Sequence, residues 1–135
     1  MGNKINFLDL KVQYNSIKGE LYSVIKKVIE SGEFIGGVEV KKFEKEFVKF
    51  CKIKYAISVN SGTDALFLSL KALGIGNGDE VITTPFTFIA TAEAIVNCGA
   101  KPVFVDINPD TFNIDDSKIQ KAITKNTKAI IPVHL

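Results

Sequence analysis

The chain has 135 residues, 46% of them hydrophobic and 24% charged, which are the proportions of a soluble globular domain and not of a disordered tail or a fibre. Seventeen cations and fifteen anions give a formal net charge of +2; the cations are spread along the chain, so no basic stripe argues for nucleic acid or a membrane surface as partner. All seventeen cations are lysines, and arginine's planar two-pronged grip on a carboxylate is missing.

Taken in order, Gln13 to Glu30 places Ile17, Leu21, Ile25 and Val28 at steps of four and three among lysines and glutamates, an amphipathic helix stopped by Ser31-Gly32. After Gly32 to Gly37 a second helix carries Val40, Phe43, Phe47 and Phe50 as its apolar stripe, with lysines and glutamates as a solvated face. From Tyr55 onward short apolar runs alternate with helical segments. Strands are expected at Tyr55–Asn60, Glu80–Thr84, Pro102–Asp106 and Lys128–Val133, with helices at Thr63–Leu73, Thr87–Cys98 and Asp115–Ile123. That rhythm is βαβ, and runs such as Val103-Phe104-Val105 suit strands buried on both faces. The expected fold is α/β, a three-layer sandwich with a mostly parallel sheet. Residues 1–54 form an N-terminal helical segment, and 55–135 the first part of the α/β domain. A four-strand parallel sheet ending at Pro132-Val133-His134-Leu135 would leave an edge and a face open, so the chain reads as a piece of something longer.

Cys51 and Cys98 have no metal-ligand spacing and do not make a secreted framework; they are expected as buried, reduced thiols. Met1 to Phe7 lacks the apolar run of a signal peptide, and no stretch approaches the ~20 apolar residues of a membrane span. A cytoplasmic location is expected.

The most informative tract is Asn60-Ser61-Gly62-Thr63-Asp64-Ala65-Leu66, where a strand ends and a helix begins, the place at which open α/β sheets bind ligands. A helix start offers unpaired amides and the positive dipole end; Gly62 would let an anion approach, and the Ser61 and Thr63 hydroxyls can donate to phosphate oxygens. The same residues equally suit a plain helix cap. Gly74-Ile75-Gly76-Asn77-Gly78 follows a helix and precedes a strand, the reverse of a dinucleotide loop, and is a helix stop and turn. Phe86 and Phe88, in Thr84 to Ala90, are either core or the floor for a planar cofactor, with Phe86 the better core candidate. Glu93 receives no catalytic role. Asp106 stands at a strand end but reads equally well as a turn. His134, the single histidine, is placed at the mouth of the site by its position at the end of the fourth strand.

These tracts, together with Gly78 to Ile82, Pro102 to Ile107, Ile114 to Thr127, Ile131 to Leu135, Phe7 to Leu10 and Ser31 to Gly37, resemble the DegT/DnrJ/StrS nucleotide-sugar aminotransferases across essentially the whole chain. The resemblance implies the aspartate-aminotransferase fold, pyridoxal 5′-phosphate as cofactor and a homodimer at full length. It also implies transfer of an amino group from glutamate or glutamine to a nucleotide-linked keto-sugar, in the biosynthesis of amino sugars and polysaccharides. Carried over, Gly62, Thr63 and Asp64 would hold the cofactor phosphate, Phe88 would stack on its ring and His134 would lie near its far side. Phe34, Ile35 and Gly36 would form part of the sugar-nucleotide entrance. The family's Schiff-base lysine and the aspartate that pairs with the pyridine nitrogen are expected beyond Leu135, so the chain by itself is expected to be inactive. Two alternatives stay open: a sugar dehydratase of the same family, with histidine in place of that lysine, and a non-catalytic binding or regulatory module.

Overall fold

A computed structural model describes residues 7–135; the opening residues 1–6, judged above for a leader, lie outside the described residues. The chain divides into two compact units, at Ser58/Val59.

The first unit holds α1 (Leu10–Ser31) and α2 (Val38–Cys51). Asp9 caps α1, its Oδ1 accepting from the amides of Lys11 and Val12. Gly32 ends it in the left-handed region, its amide donating to the carbonyls of Val28 and Ile29. In the connection, Gly36 has φ +63°, and a Cβ on Gly37 would lie 2.8 Å from the Glu33 carbonyl oxygen, so both positions need glycine. No residue of either helix is buried. The expected stripe Val40, Phe43, Phe47, Phe50 is exposed, with Phe43 and Phe47 pairing as rings at 5.7 Å. Cys51 is likewise exposed and free, which corrects the expectation of two buried thiols; Cys98 alone is buried.

The second unit contains α3 (Gly62–Ala72), β1 (Glu80–Thr83), α4 (Ala90–Asn97), β2 (Lys101–Phe104), α5 (Asp116–Ala122) and β3 (Thr127–Ile130). Its sheet is parallel with order β2–β1–β3. Ile82 stands opposite Val103 and Ile130, and the register shifts between Glu80 and Val81 on the β3 side. Pro102, which has no amide hydrogen, is tolerated because β2 is an edge strand. Since β1 is central, the β1–α4–β2 and β2–α5–β3 crossovers run in opposite directions. Right-handed connections of that kind belong to opposite faces of a sheet, the layering of a doubly wound fold.

Four strands were expected, and the described residues contain three. Among the described residues no ladder includes 55–60, and Tyr55, Ile57 and Val59 are exposed. A β-branched run becomes a strand only when a neighbour accepts its amides; the one amide here with a recorded partner, Ser58 N, donates to Glu44 Oε1.

The core lies on one face of the sheet. Leu70 of α3, Ala94 and Ile95 of α4, Val81 of β1, and Ile75, Cys98 and Ala100 from the turns pack together. Alternation along β1 directs Val81 toward the helices and Ile82 to the opposite face; both are fully buried.

At the N-terminal edge Glu80 joins three segments. Its carboxylate accepts from Thr124 Oγ1 at 2.6 Å and Lys101 Nζ at 3.2 Å, and its amide donates to the Asn126 carbonyl. The Thr124 hydroxyl first, and the Lys101 ammonium second, hold this carboxyl below its usual pKa. A lowered carboxylate contributes stability above its ordinary pKa and loses it as pH falls through the lowered value. Glu80→Gln should therefore melt below wild type at neutral pH, with the gap closing as pH falls below the ordinary glutamate pKa. A gap independent of pH in thermal melts would show that the charge is not involved.

Candidate functional site

The two helices over the core run antiparallel to β1. The C-terminal ends of α3 and α4 are tied by Lys71 Nζ to the Cys98 carbonyl (3.3 Å) and Cys98 Sγ to the Phe67 carbonyl (3.6 Å). Both then feed strand starts, through Gly74 to Asp79 and through Gly99 and Ala100. Their N-termini consequently lie at the carboxyl edge of the sheet, together with the segments that follow β1, β2 and β3.

At the start of α3, Ser61 is the cap. Its Oγ accepts from the Asp64 amide at 3.0 Å and donates to Asp64 Oδ2 at 3.1 Å. This reciprocal pair uses the Asp64 amide and the Ser61 hydroxyl hydrogen. The Gly62 and Thr63 amides have no intrahelical acceptor, and the Thr63 hydroxyl is the other donor of the tract. A Cβ on Gly62 would meet nothing within 4 Å. The helix start is thus open on the side where its amides and its positive dipole end would meet an anion.

After β1, Phe88 is 78% exposed, with its carbonyl accepting from the Thr91 amide. Phe86, the expected core ring, is 52% exposed and packs instead against Phe112, with centroids 6.0 Å apart. The loop turns outward right after the buried Thr84, whose Oγ1 accepts from the Phe86 amide, so strand alternation no longer directs either ring inward. After β2, Asp106 Oδ1 accepts from the Ile107 amide and its carbonyl accepts from Asp115 N; it is a turn residue. His134 is exposed beyond β3. Thr83, fully buried, donates from Oγ1 to the Ile131 carbonyl at 2.9 Å and fastens the start of that segment to β1.

Sequence reasoning passed over Thr83, Phe112 and Asn113; the Asx-rich run from Asp106 to Asp110 was the one pointer to the last two. Phe34, Ile35 and Gly36 belong to the first unit, where Phe34 lines an open cleft of about 260 Å³ with Lys27, Glu33 and Val38. Among the described residues no group of three or more His, Cys, Asp or Glu could hold a metal ion. Also among them, no helix is long and apolar enough to cross a membrane.

Comparison with known proteins gives this geometry a context. The chain is 50% identical over 131 residues to a pleiotropic regulatory protein of Geobacillus stearothermophilus, covering 97% of this chain and 35% of that protein. It is also 50% identical over 131 residues to the UDP-2-acetamido-2-deoxy-3-oxo-D-glucuronate aminotransferase of Pseudomonas aeruginosa, covering 97% and 36%. A crystal structure of NtdA from Bacillus subtilis with bound cofactor PMP matches 100% of this chain and 31% of its own, with a TM-score of 0.93 at 40% identity. The chain spans about a third of the length of the curated relatives it matches. Residues 15–135 match the DegT/DnrJ/EryC1/StrS aminotransferase family throughout, and the chain belongs to that family.

Proposed function

We propose that this chain makes up the first third of a pyridoxal 5′-phosphate-dependent aminotransferase that places an amino group on a nucleotide-linked keto-sugar. Glutamate or glutamine is the proposed donor and a homodimer the working form. The observation that carries this reading is the open helix start at Gly62 and Thr63, at the same sheet edge as the exposed Phe88 ring. When bound, the cofactor supplies an electron-accepting ring and a carrier for the amine.

The chain's own residues bind and orient. The Gly62 and Thr63 amides and the Thr63 hydroxyl would hold the phosphate dianion, with the α3 dipole adding to the attraction. Asp64 takes part indirectly, by fixing Ser61 and through it the helix start. Phe88 would offer a flat apolar surface to the pyridine ring, and His134 would border its other side. Phe34, Ile35 and Gly36 are proposed to contact the sugar nucleotide. The Schiff-base lysine and the aspartate for the ring nitrogen are assigned to sequence outside these 135 residues.

The test is Phe88→Leu in the full-length enzyme. An exposed ring contributes little packing, so the melting temperature of cofactor-free protein should stay within about 2 °C of wild type. The absorption spectrum of the bound cofactor should shift. A large loss of cofactor-free stability with an unaltered spectrum would return Phe88 to a packing role.

The 135-residue chain alone should show no transamination, because phosphate contacts and a stacked ring position a cofactor without supplying the amine that exchanges on it. Borohydride reduction with pyridoxal phosphate should label scattered lysines. One lysine labelled stoichiometrically, together with turnover, would contradict this. The name of the Geobacillus relative favours a second reading, a regulatory module. An intact full-length protein that binds no cofactor would favour it.

A further inference from the structure

The turn between β2 and α5 is closed by its own hydrogen bonds and reaches two other segments at once. Asn108 Oδ1 accepts from the amides of Asp110 (2.9 Å) and Thr111 (3.3 Å). The Asn108 carbonyl accepts from Phe112 N and its amide donates to the Asn113 carbonyl, both at 2.9 Å, and Ile107 bridges Ile114 in antiparallel sense. Phe112 has φ +59°, a left-handed conformation that bulky side chains rarely adopt. In it the ring meets Phe86 at 6.0 Å with planes 35° apart, inside the range of favourable aromatic pairs. Asn113 Oδ1 accepts from the amide of Leu135 at 3.1 Å while its Nδ2 donates to the Thr111 carbonyl at 3.4 Å.

The two partners of this turn are the two segments that carry the proposed ring contacts. Phe86 stands two residues before Phe88, and Leu135 directly follows His134. The loop after β1 is tied to itself and to the start of α4 by short-range bonds: Phe86 N to Thr84 Oγ1 at 3.3 Å, Thr87 N to the Pro85 carbonyl at 3.0 Å, and Thr87 Oγ1 to Thr91 Oγ1 at 3.0 Å. None of them holds the Phe86 ring, and Phe86 and Phe88 are both exposed. Segments of that kind open locally at low cost unless an external contact restrains them.

We propose that Phe112 and Asn113 are positioning residues, Phe112 setting the Phe88 loop through the Phe86 ring and Asn113 setting the His134 segment through the Leu135 amide. Neither touches the cofactor. The inference rests on the cofactor reading of Phe88 and His134 for its functional meaning, and its structural part is tested without any ligand.

Amide hydrogen exchange on the 135-residue chain is the first arm. Phe112→Ala should speed exchange at Phe86 and Thr87 about tenfold while Val81, Ile82 and Thr83 in β1 exchange as in wild type. Phe112→Tyr, which keeps the ring, should restore the wild-type rates. Asn113→Ala should speed the Leu135 amide, and Asn113→Asp, which keeps an oxygen acceptor, should not. The second arm titrates pyridoxamine 5′-phosphate into the full-length enzyme by its ring fluorescence, where Phe112→Ala should weaken binding several-fold and Phe112→Tyr should not. Loop rates unchanged in Phe112→Ala, or raised equally through β1, would overturn the proposal. So would wild-type affinity for pyridoxamine 5′-phosphate in Phe112→Ala. Failure of the wild-type full-length enzyme to bind it would count against the cofactor reading, with the exchange arm still deciding whether the turn holds the two segments.

Discussion

Ile95→Ala should destabilise the second unit by about 2–5 kcal/mol. Ile95 is fully buried in α4 and packs with Leu70, Val81, Ala94 and Cys98 in the core between the helices and the sheet. Its truncation leaves a cavity that neighbours on three elements cannot easily close, because Val81 is fixed by strand pairing and Leu70 by α3. For a small unit, whose total stability is on the order of 5–15 kcal/mol, a loss of this size is a large share of the whole. Ile95→Val, which removes one methyl group, should cost about 0.5–1.5 kcal/mol. The chain has no tryptophan, so a urea titration read from the amide resonances of β1 is the suitable measurement. A midpoint for Ile95→Ala equal to that of wild type would mean that this core does not hold the unit together.

Gly62→Val should lower cofactor affinity in the full-length enzyme on the order of 100-fold, with little change in stability. A side chain built at Gly62 meets nothing within 4 Å, and the backbone there is not in the left-handed region, so the fold has room for it. The added atoms would fill the space in front of the α3 amides that the phosphate is proposed to occupy. Two charge-assisted hydrogen bonds at ~1.4 kcal/mol each correspond to that factor. Equilibrium dialysis against pyridoxal phosphate, set beside a thermal melt of the cofactor-free protein, separates the two effects. Wild-type affinity in Gly62→Val would remove the α3 start from the site and leave Ser61 as a helix cap with no further role.

Local sequence was sufficient wherever the structure is local. Asp9, Ser31-Gly32 and Ser61 bound their helices through contacts within four residues. Gly74 and Gly78 adopt the positive φ that a helix stop and turn require. The βαβ rhythm located β1, β2 and β3 to within a few residues, but burial on both faces holds for β1 alone; in β2 and β3, the two edge strands, Phe104 and Ile130 are exposed. The order strand–Ser61-Gly62-Thr63–helix likewise marked the candidate anion site, since a helix start has open amides whatever surrounds it.

Only tertiary structure decided the rest. Tyr55–Asn60 has the composition of a strand, yet strand identity belongs to a pair of segments, and none of the described ones pairs with it. Phe86 left the core because the chain turns outward after Thr84, which no alternation rule anticipates. The left-handed Phe112 carries no sequence mark, since that conformation is ordinarily read from glycine or asparagine. Asn113 reaches Leu135 across 22 residues, and Glu80 reaches Thr124 across 44. Contacts of that range are set by strand order, and the placing of β1 between β2 and β3 is a property of the packed chain, written in no single stretch of it.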